Sequence, residues 1–129
     1  MSAAPCVLAI VGEPAEFARL AAELSAAGFQ VNRAQNLLDA LLHHLAFSAR
    51  LVICDTDCVD WKAALFVFRS VPTAAIVFLA RLADEPLWLE MLNAGAFDLL
   101  PKPYDRRELT RIIDRVFQQG GPAKTGHVA

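Results

Sequence analysis

Short apolar runs alternate along the chain with longer stretches in which apolar residues recur every three or four positions. The first, third and fourth runs are almost continuously apolar, as in strands that are buried on both faces of a sheet. The second run alternates between apolar and polar residues, which suits a strand at the edge of a sheet. The predicted strands are residues 7–11, 29–32, 51–55, 74–80 and 96–100.

Residues that begin and end helices occur between these strands. Pro14 suits the first turn of a helix and Gly28 suits the position after its end, so we expect the first helix between them. Asn36, Asp84 and Asp105 suit the N-cap position, because their side chains accept hydrogen bonds from unpaired backbone N–H groups. These three residues are predicted to begin the second, fourth and fifth helices.

Apolar spacing predicts which side of a helix is buried. A third helix is predicted at about residues 60–69. His43 and His44 are adjacent, so they do not share one helix face for a metal ion, and both are expected to face solvent or to lie at a helix end. The predicted buried stripe of the second helix is Leu38, Leu41, Leu42 and Leu45.

The alternation of five predicted strands with five predicted helices indicates one α/β domain with a parallel sheet and helices on both faces. The domain is expected to span residues 6–119, and residues 120–129 are expected to form a polar tail or linker. The apolar share of the sequence is 56%, above the roughly 45–50% of an ordinary globular chain. This composition suits a single domain with a sizeable core.

Charge and cysteine content disfavour several classes of protein. The net charge is −2 and the isoelectric point is near 5.9, so no dedicated nucleic-acid-binding surface is expected. No apolar run approaches the roughly 18 residues of a membrane span. The three cysteines have no metal-ligand spacing, and their odd number suits reduced thiols. We therefore expect a cytoplasmic protein that contacts neither nucleic acid nor a membrane.

Asp55, at the end of the third predicted strand, is the first candidate for chemistry. Ligands and reactions collect at the carboxyl ends of the strands in an open parallel sheet. Asp55 is therefore a candidate nucleophile or metal ligand, and the alternative is an aspartate that caps the following helix. This stretch alone leaves both possibilities open.

Four sequence features occur in an order that is specific to one protein family. The first strand is followed by Glu13, and the third strand ends in Asp55. The fourth helix ends in the run NAGAFD at residues 93–98, and the last strand is followed by Lys102 and Pro103. In these features, over nearly its whole length, the chain resembles the receiver domains of two-component response regulators.

The resemblance implies a flavodoxin-like (βα)5 fold, a three-layer sandwich whose parallel sheet has the strand order 2-1-3-4-5. It implies a signalling domain and not an enzyme, in which Asp55 accepts a phosphoryl group from a histidine kinase or a phosphotransfer protein. Glu13, Asp55 and the backbone carbonyl of Asp57 would hold Mg²⁺, which prefers oxygen ligands. Lys102 would pair with the phosphoryl oxygens, and its bond to Pro103 would be cis.

Three positions depart from the family pattern. Gly12 stands where the first of two acids is usual, so we expect weakened metal binding. Ala80 replaces the usual hydroxyl residue at the end of the fourth strand, and Leu99 replaces the usual aromatic residue in the fifth. Since these last two positions form the switch in the family, the response to phosphorylation is expected to be degenerate.

Two other functions fit parts of the sequence. A phosphorylation-independent receiver would keep the fold and act only as a binding or dimerisation module. A haloacid-dehalogenase-like phosphatase would use Asp55 as the nucleophile and Asp57 as the general acid, because residues 55–59 fit the motif Asp-x-Asp-x-Val. In that class the motif lies on the first strand, whereas here it lies on the third, and Ala80 stands where the class needs a serine or threonine. The phosphatase is therefore disfavoured.

The fourth predicted helix contains five apolar residues within six positions, more than one buried stripe accommodates. Leu89 and Leu92 are expected in the core. Exposed apolar patches and tryptophan mark interaction sites, and receivers commonly dimerise or bind effectors through the fourth helix, fifth strand and fifth helix. A homodimer or an effector contact is therefore expected through this face, and its predicted residues are Trp88, Met91, Arg106 and Arg107.

Overall fold

Five strands and five helices alternate along the computed structural model, which describes residues 5–69, 74–81 and 84–118. The strands are β1 (Cys6–Ile10), β2 (Gln30–Ala34), β3 (Leu51–Asp55), β4 (Ala75–Ala80) and β5 (Asp98–Pro101). The helices are α1 (Pro14–Ala26), α2 (Leu37–Phe47), α3 (Trp61–Phe68), α4 (Glu85–Asn93) and α5 (Arg106–Gln118). All strand pairs are parallel and the order is β2-β1-β3-β4-β5, so the predicted fold is confirmed.

The central strand β3 lies between β1 and β4, and all of its residues are buried because helices cover both faces of the sheet. Side chains alternate between the two faces along each strand. Buried residues of α2, α3 and α4 pack with Leu8 and Ile10 on one face, whereas those of α1 and α5 pack with Val7 and Ala9 on the other. This packing holds the carboxyl end of β3 in the middle of one sheet edge.

The predicted helix boundaries rest on local hydrogen bonds that the structure contains. Asn36 Oδ1 accepts from the backbone N–H of Asp39 at 2.8 Å, and Asp84 Oδ1 accepts from that of Leu87 at 2.9 Å. Gly28 follows α1 with a φ of 96°, a left-handed conformation that favours glycine. These predictions are confirmed.

The predicted buried stripe of α2 is wrong. Leu38, Leu42 and Leu45 are each more than half exposed, whereas Ala40 and His44, one turn apart, face the core. The helix is apolar on nearly every side, so apolar spacing fits several faces equally well. The small Ala40 lies against the sheet, and His44 is buried with its ring edge-on to Phe68 at 6.0 Å. His44 therefore does not face solvent, although it lies in the last turn of the helix, which was the other expected position.

Two predictions for α4 are also wrong. Met91, expected on a partner face, is fully buried, and Leu89, expected in the core, is half exposed. Leu87 and Met91 are one turn apart and both pack on the α2–α3 side of the sheet, which fixes the rotation of the helix. Trp88 is partly exposed as predicted, and its Nε1–H donates to Asp98 Oδ1 at 3.1 Å.

The end of the predicted domain at residue 119 and the predicted tail at residues 120–129 lie outside the described residues. The strand boundaries differ from prediction by at most two residues, as in β2, expected at residues 29–32, and β5, expected at residues 96–100. None of the helices within the described ranges is long and apolar enough to cross a membrane.

Candidate functional site

The candidate site lies where three chain segments meet at the carboxyl edge of the sheet. Asp55 is the last residue of the central strand β3 and is 2% exposed. Lys102 follows β5 directly, and its backbone N–H donates to the carbonyl of Ala80 at the end of β4 at 2.9 Å. The Lys102–Pro103 bond is cis, as the resemblance implied. The third segment is the start of α1, which follows β1.

Lys102 connects three carboxylates. Its Nζ donates to Asp55 Oδ2 at 2.8 Å, to Asp57 Oδ2 at 3.0 Å and to Glu16 Oε1 at 3.2 Å. The other oxygen of Asp55, Oδ1, accepts from the backbone N–H of Asp57 at 2.9 Å. Both carboxylate oxygens of Asp55 are therefore held in fixed positions, so the side chain is oriented before any ligand arrives.

The charges of this cluster support one another. Burial alone would lower the pKa of Lys102, but its hydrogen bonds with Asp55, Asp57 and Glu16 outweigh burial and raise that pKa. The hydrogen bond from Lys102 lowers the pKa of Asp57, and the charge of Arg81 lowers it further. At neutral pH Lys102 is thus charged and Asp57 is ionised.

Two residues of the cluster were not among the predicted site residues. Glu16 lies in the first turn of α1 and reaches Lys102, while Arg81 follows β4 and its Nε donates to Asp57 Oδ2 at 2.8 Å. Their positions were a usable signal, because each lies within a few residues of the carboxyl end of a strand. Their long side chains, however, give no sequence pattern that indicates their direction.

Gly12 and Cys58 contact each other at the position of the missing acid. A Cβ atom on Gly12 would lie 3.3 Å from Cys58 Cβ, closer than most such contacts, and 3.9 Å from its Sγ. The Cys58 thiol donates to the carbonyl of Ile10 at 3.5 Å. The loop after β3 therefore occupies part of the space that a side chain at position 12 would need.

Neither switch position carries the group that is usual in the family. Ala80, the last residue of β4, is buried and pairs with Pro101 of β5, and it offers no hydroxyl. Leu99 is also buried, beside Phe78 in the neighbouring strand, and has no aromatic ring. The described site therefore contains no hydroxyl or ring at these two positions that could turn toward Asp55.

The predicted metal ligands are only partly gathered. Asp55 and Asp57 are brought together around Lys102, and carboxylate oxygens are the ligands that Mg²⁺ prefers. Glu13 is exposed and does not complete a set with them, since the described residues contain no group of three His, Cys, Asp or Glu side chains placed to hold a metal ion. The residue types fit Mg²⁺, although the ligand expected from Asp57 is its backbone carbonyl and the described side chains alone do not form a metal site.

A cavity of about 390 Å³ opens beside Lys102. Its lining includes apolar side chains such as Leu20 and Leu79, the cationic Arg19 and Arg81, and the acidic Glu16. Tyr104 also lines it, with a pKa that burial raises, and the guanidinium of Arg19 lies 5.3 Å from its ring centre. Because three cationic side chains and one carboxylate line the cavity, its net positive charge favours the approach of an anionic group to Lys102 from this side.

Comparison with known proteins gives the same fold at low sequence identity. Neither models of known protein families nor curated proteins match this chain. A two-component response regulator from Clostridium difficile is 22% identical with a TM-score of 0.78, over 89% of this chain and 97% of that chain. The chemotaxis protein CheY4 of Vibrio cholerae is 21% identical with a TM-score of 0.78, over 88% of this chain and 99% of that chain.

The signal receiver domain of a putative Luxo repressor protein from Vibrio parahaemolyticus is only 15% identical, yet its TM-score is 0.82 over 91% of this chain and 92% of that chain. A high TM-score at such low sequence identity shows that the backbone folds are alike. Together with the strand order, it confirms the resemblance to receiver domains at the level of the fold.

Proposed function

We propose that this chain, which has the fold of response regulator receiver domains, is a cytoplasmic receiver that takes a phosphoryl group on Asp55. The donor would be a histidine kinase or a phosphotransfer protein, and the signal would pass on by protein contact. One observation carries the proposal: at the carboxyl end of the central strand, buried Asp55 lies 2.8 Å from the Nζ of Lys102.

The described side chains suit a transfer of this kind. A carboxylate oxygen of Asp55 would attack the phosphorus while the bond between phosphorus and the donor nitrogen breaks, leaving that nitrogen with the electron pair. Lys102, which offsets the charge of the free Asp55 carboxylate, would then pair with the phosphoryl oxygens, whose larger negative charge takes the place of that of the carboxylate. The hydrogen bond from Lys102 to Asp57 would weaken, because the phosphoryl oxygens would compete for the ammonium group of Lys102.

Glu13, Asp55 and the backbone carbonyl of Asp57 are the groups that would hold Mg²⁺ in this proposal. The ion would neutralise charge on the transferring phosphoryl group. We expect weaker binding than in a site with a further acid, since Gly12 supplies none and Lys102 competes for the same carboxylates. The acidic residue Glu16 is not assigned as a metal ligand here, because its Oε1 already accepts a hydrogen bond from Nζ of Lys102.

The predicted partner face keeps three exposed residues, which are Trp88, Arg106 and Arg107. Met91 is buried and is no longer included in it. We propose that this face, on α4, β5 and α5, receives an effector with an acidic surface, because α5 is rich in arginine. The positive charge would steer such a partner toward the domain and make the contact sensitive to salt.

A phosphorylation-independent receiver is the second candidate, and Ala80 and Leu99 favour it because both switch groups are missing. A haloacid-dehalogenase-like phosphatase is disfavoured by the pKa of Asp57. A general acid must carry a proton near neutral pH, whereas Lys102 and Arg81 keep this carboxyl ionised.

The test is incubation of the full chain with Mg²⁺ and acetyl phosphate, followed by intact-mass measurement. We expect a gain of one phosphoryl group that hydroxylamine removes, no gain in Asp55→Asn, and an undiminished gain in Asp60→Asn. Asp60 is the matched control, since it caps α3 outside the cluster and asparagine also caps helices well. An unlabelled wild type would favour the phosphorylation-independent receiver, and labelled Asp55→Asn would exclude Asp55 as the acceptor.

A further inference from the structure

Three leucines form an exposed apolar stripe along α2, which we call the α2 stripe. Leu38, Leu42 and Leu45 are spaced four and three residues apart, so they lie on one face of the helix. Their exposed fractions are 67%, 56% and 66%. This face is not the one that packs on the sheet, where Ala40 and His44 are buried.

The apolar surface is confined to α2. Phe66 of α3 is also 72% exposed, but Lys62, one turn before it on the same face, pairs with Glu90 of α4, so Phe66 lies on the side of α3 away from α2. Stable interfaces take about 800 Å² from each partner, so the three leucines would form the apolar centre of a contact, and the polar residues around them its rim.

We propose that the α2 stripe is the contact between two copies of this chain, related by a two-fold axis. In such a contact the same patch meets itself, so an apolar patch is matched by an equal apolar patch. The spacing of four and three residues is also the spacing by which two helices interlock their side chains along a seam. The proposal does not depend on phosphorylation of Asp55.

Charge favours a second copy as the occupant. The α2 helix contains no lysine or arginine, and its one carboxylate, Asp39, already has partners. Asp39 Oδ2 accepts from the backbone N–H of Gln35 at 3.0 Å, and its Oδ1 lies 3.6 Å from His43 Nε2. Two identical α2 faces can therefore meet without bringing unpaired like charges together.

The partner face of α4 and α5 is less suited to a second copy. The α5 helix has four arginines and two acids, and Arg115 already pairs with Asp98 at 2.8 Å, so a surplus of positive charge opposes a two-fold contact there. The apolar residues of α4 that are exposed there, Trp88 and Leu89, are fewer than those of α2. The two surfaces thus suit different partners, an acidic effector on one and a second copy on the other.

Sedimentation velocity of the full chain over a range of concentrations tests the proposal. We expect a monomer–dimer equilibrium in the wild type and a dissociation constant raised at least about tenfold in Leu42→Glu, because a carboxylate would be buried at the centre of the seam. Leu89→Glu is the matched control, since it places the same charge on an exposed leucine of α4. We expect it to dimerise like the wild type.

Far-UV circular dichroism would establish that each variant is folded, and Leu38→Gln repeats the test if Leu42→Glu is not. A wild type that stays monomeric at high concentration would overturn the proposal, even if the stripe binds another protein. Dimers that persist in folded Leu42→Glu but dissociate in Leu89→Glu would also overturn it and would place the contact on α4.

Discussion

Replacing Lys102 by methionine is the perturbation for which the structure gives the clearest expectation. The side chain of Lys102 is 8% exposed, and its Nζ lies within 3.2 Å of oxygens of Asp55, Asp57 and Glu16. Methionine is similar in length and keeps the apolar part of the side chain. The substitution therefore removes mainly the cation, and leaves three carboxylates close together with one of them buried.

The magnitude follows from how much of the cluster is shielded from water. Removing one partner of a fully buried ion pair costs about 3–5 kcal/mol. Asp55 is buried, but the side chains of Asp57 and Glu16 are 41% and 36% exposed and are partly screened by solvent. We therefore expect Lys102→Met to lower the free energy of unfolding by about 2–4 kcal/mol.

The same substitution should cost less when Asp55 is already neutral. Asp55→Asn alone leaves Lys102 with two carboxylate partners, so we expect a small loss of stability. In the Asp55→Asn background we expect Lys102→Met to cost about 1–2 kcal/mol, which is a coupling of about 1–2 kcal/mol between the two residues. Mg²⁺ should stabilise Lys102→Met more than the wild type, because the carboxylates are no longer neutralised.

Urea unfolding of the four proteins of this cycle at pH 7 gives these free energies by linear extrapolation. Lys62→Met is the matched control: Lys62 lies 3.7 Å from Glu90, and both side chains are more than half exposed. We expect it to change stability by no more than about 0.5 kcal/mol. If Lys102→Met costs no more than this control, or costs the same with and without Asp55, the cluster does not stabilise the domain as argued.

Two further predictions concern His44 and Gly12. Burial lowers the pKa of His44, and its Nδ1 has no hydrogen-bond partner among the described residues. The unfolded chain protonates this residue near pH 6.5 and the folded chain only at lower pH, so stability is lost as the pH falls below about 6.5. We expect His44→Leu to raise the free energy of unfolding by about 1 kcal/mol at pH 7 and to reduce the loss of stability at lower pH. Urea unfolding at several pH values measures both effects. Parallel plots of stability against pH for the wild type and the variant would contradict the prediction. Gly12→Asp should lower the free energy of unfolding by about 1 kcal/mol, because the added Cβ would lie close to Cys58. The same substitution should tighten Mg²⁺ binding, which a metal titration measures. An unchanged Mg²⁺ affinity would mean that the missing acid is irrelevant.

The strands, most helix boundaries and the central pair of the site follow from the sequence. Continuous apolar runs predict strands that are covered on both faces, whatever covers them. N-caps such as Asn36 and Asp84 act on backbone groups three residues away, so the sequence nearby contains both partners of each bond. Asp55 and Lys102 were identified because Asp55 ends a recognisable strand, Lys102 follows another, and both belong to a family pattern.

The faces of α2 and α4 and the full membership of the charged cluster depended on the tertiary structure. An apolar helix offers several faces to the core, and the face that is buried is the one whose side chains fit the sheet, as Ala40 and Met91 do. Glu16 and Lys102 are 86 residues apart in the sequence, and only the folding of β1 and β5 into one sheet brings them together. Hydrophobic pattern and capping are local properties of the chain, whereas the choice between equally apolar faces and the partners of long charged side chains are set by neighbours that are remote in sequence.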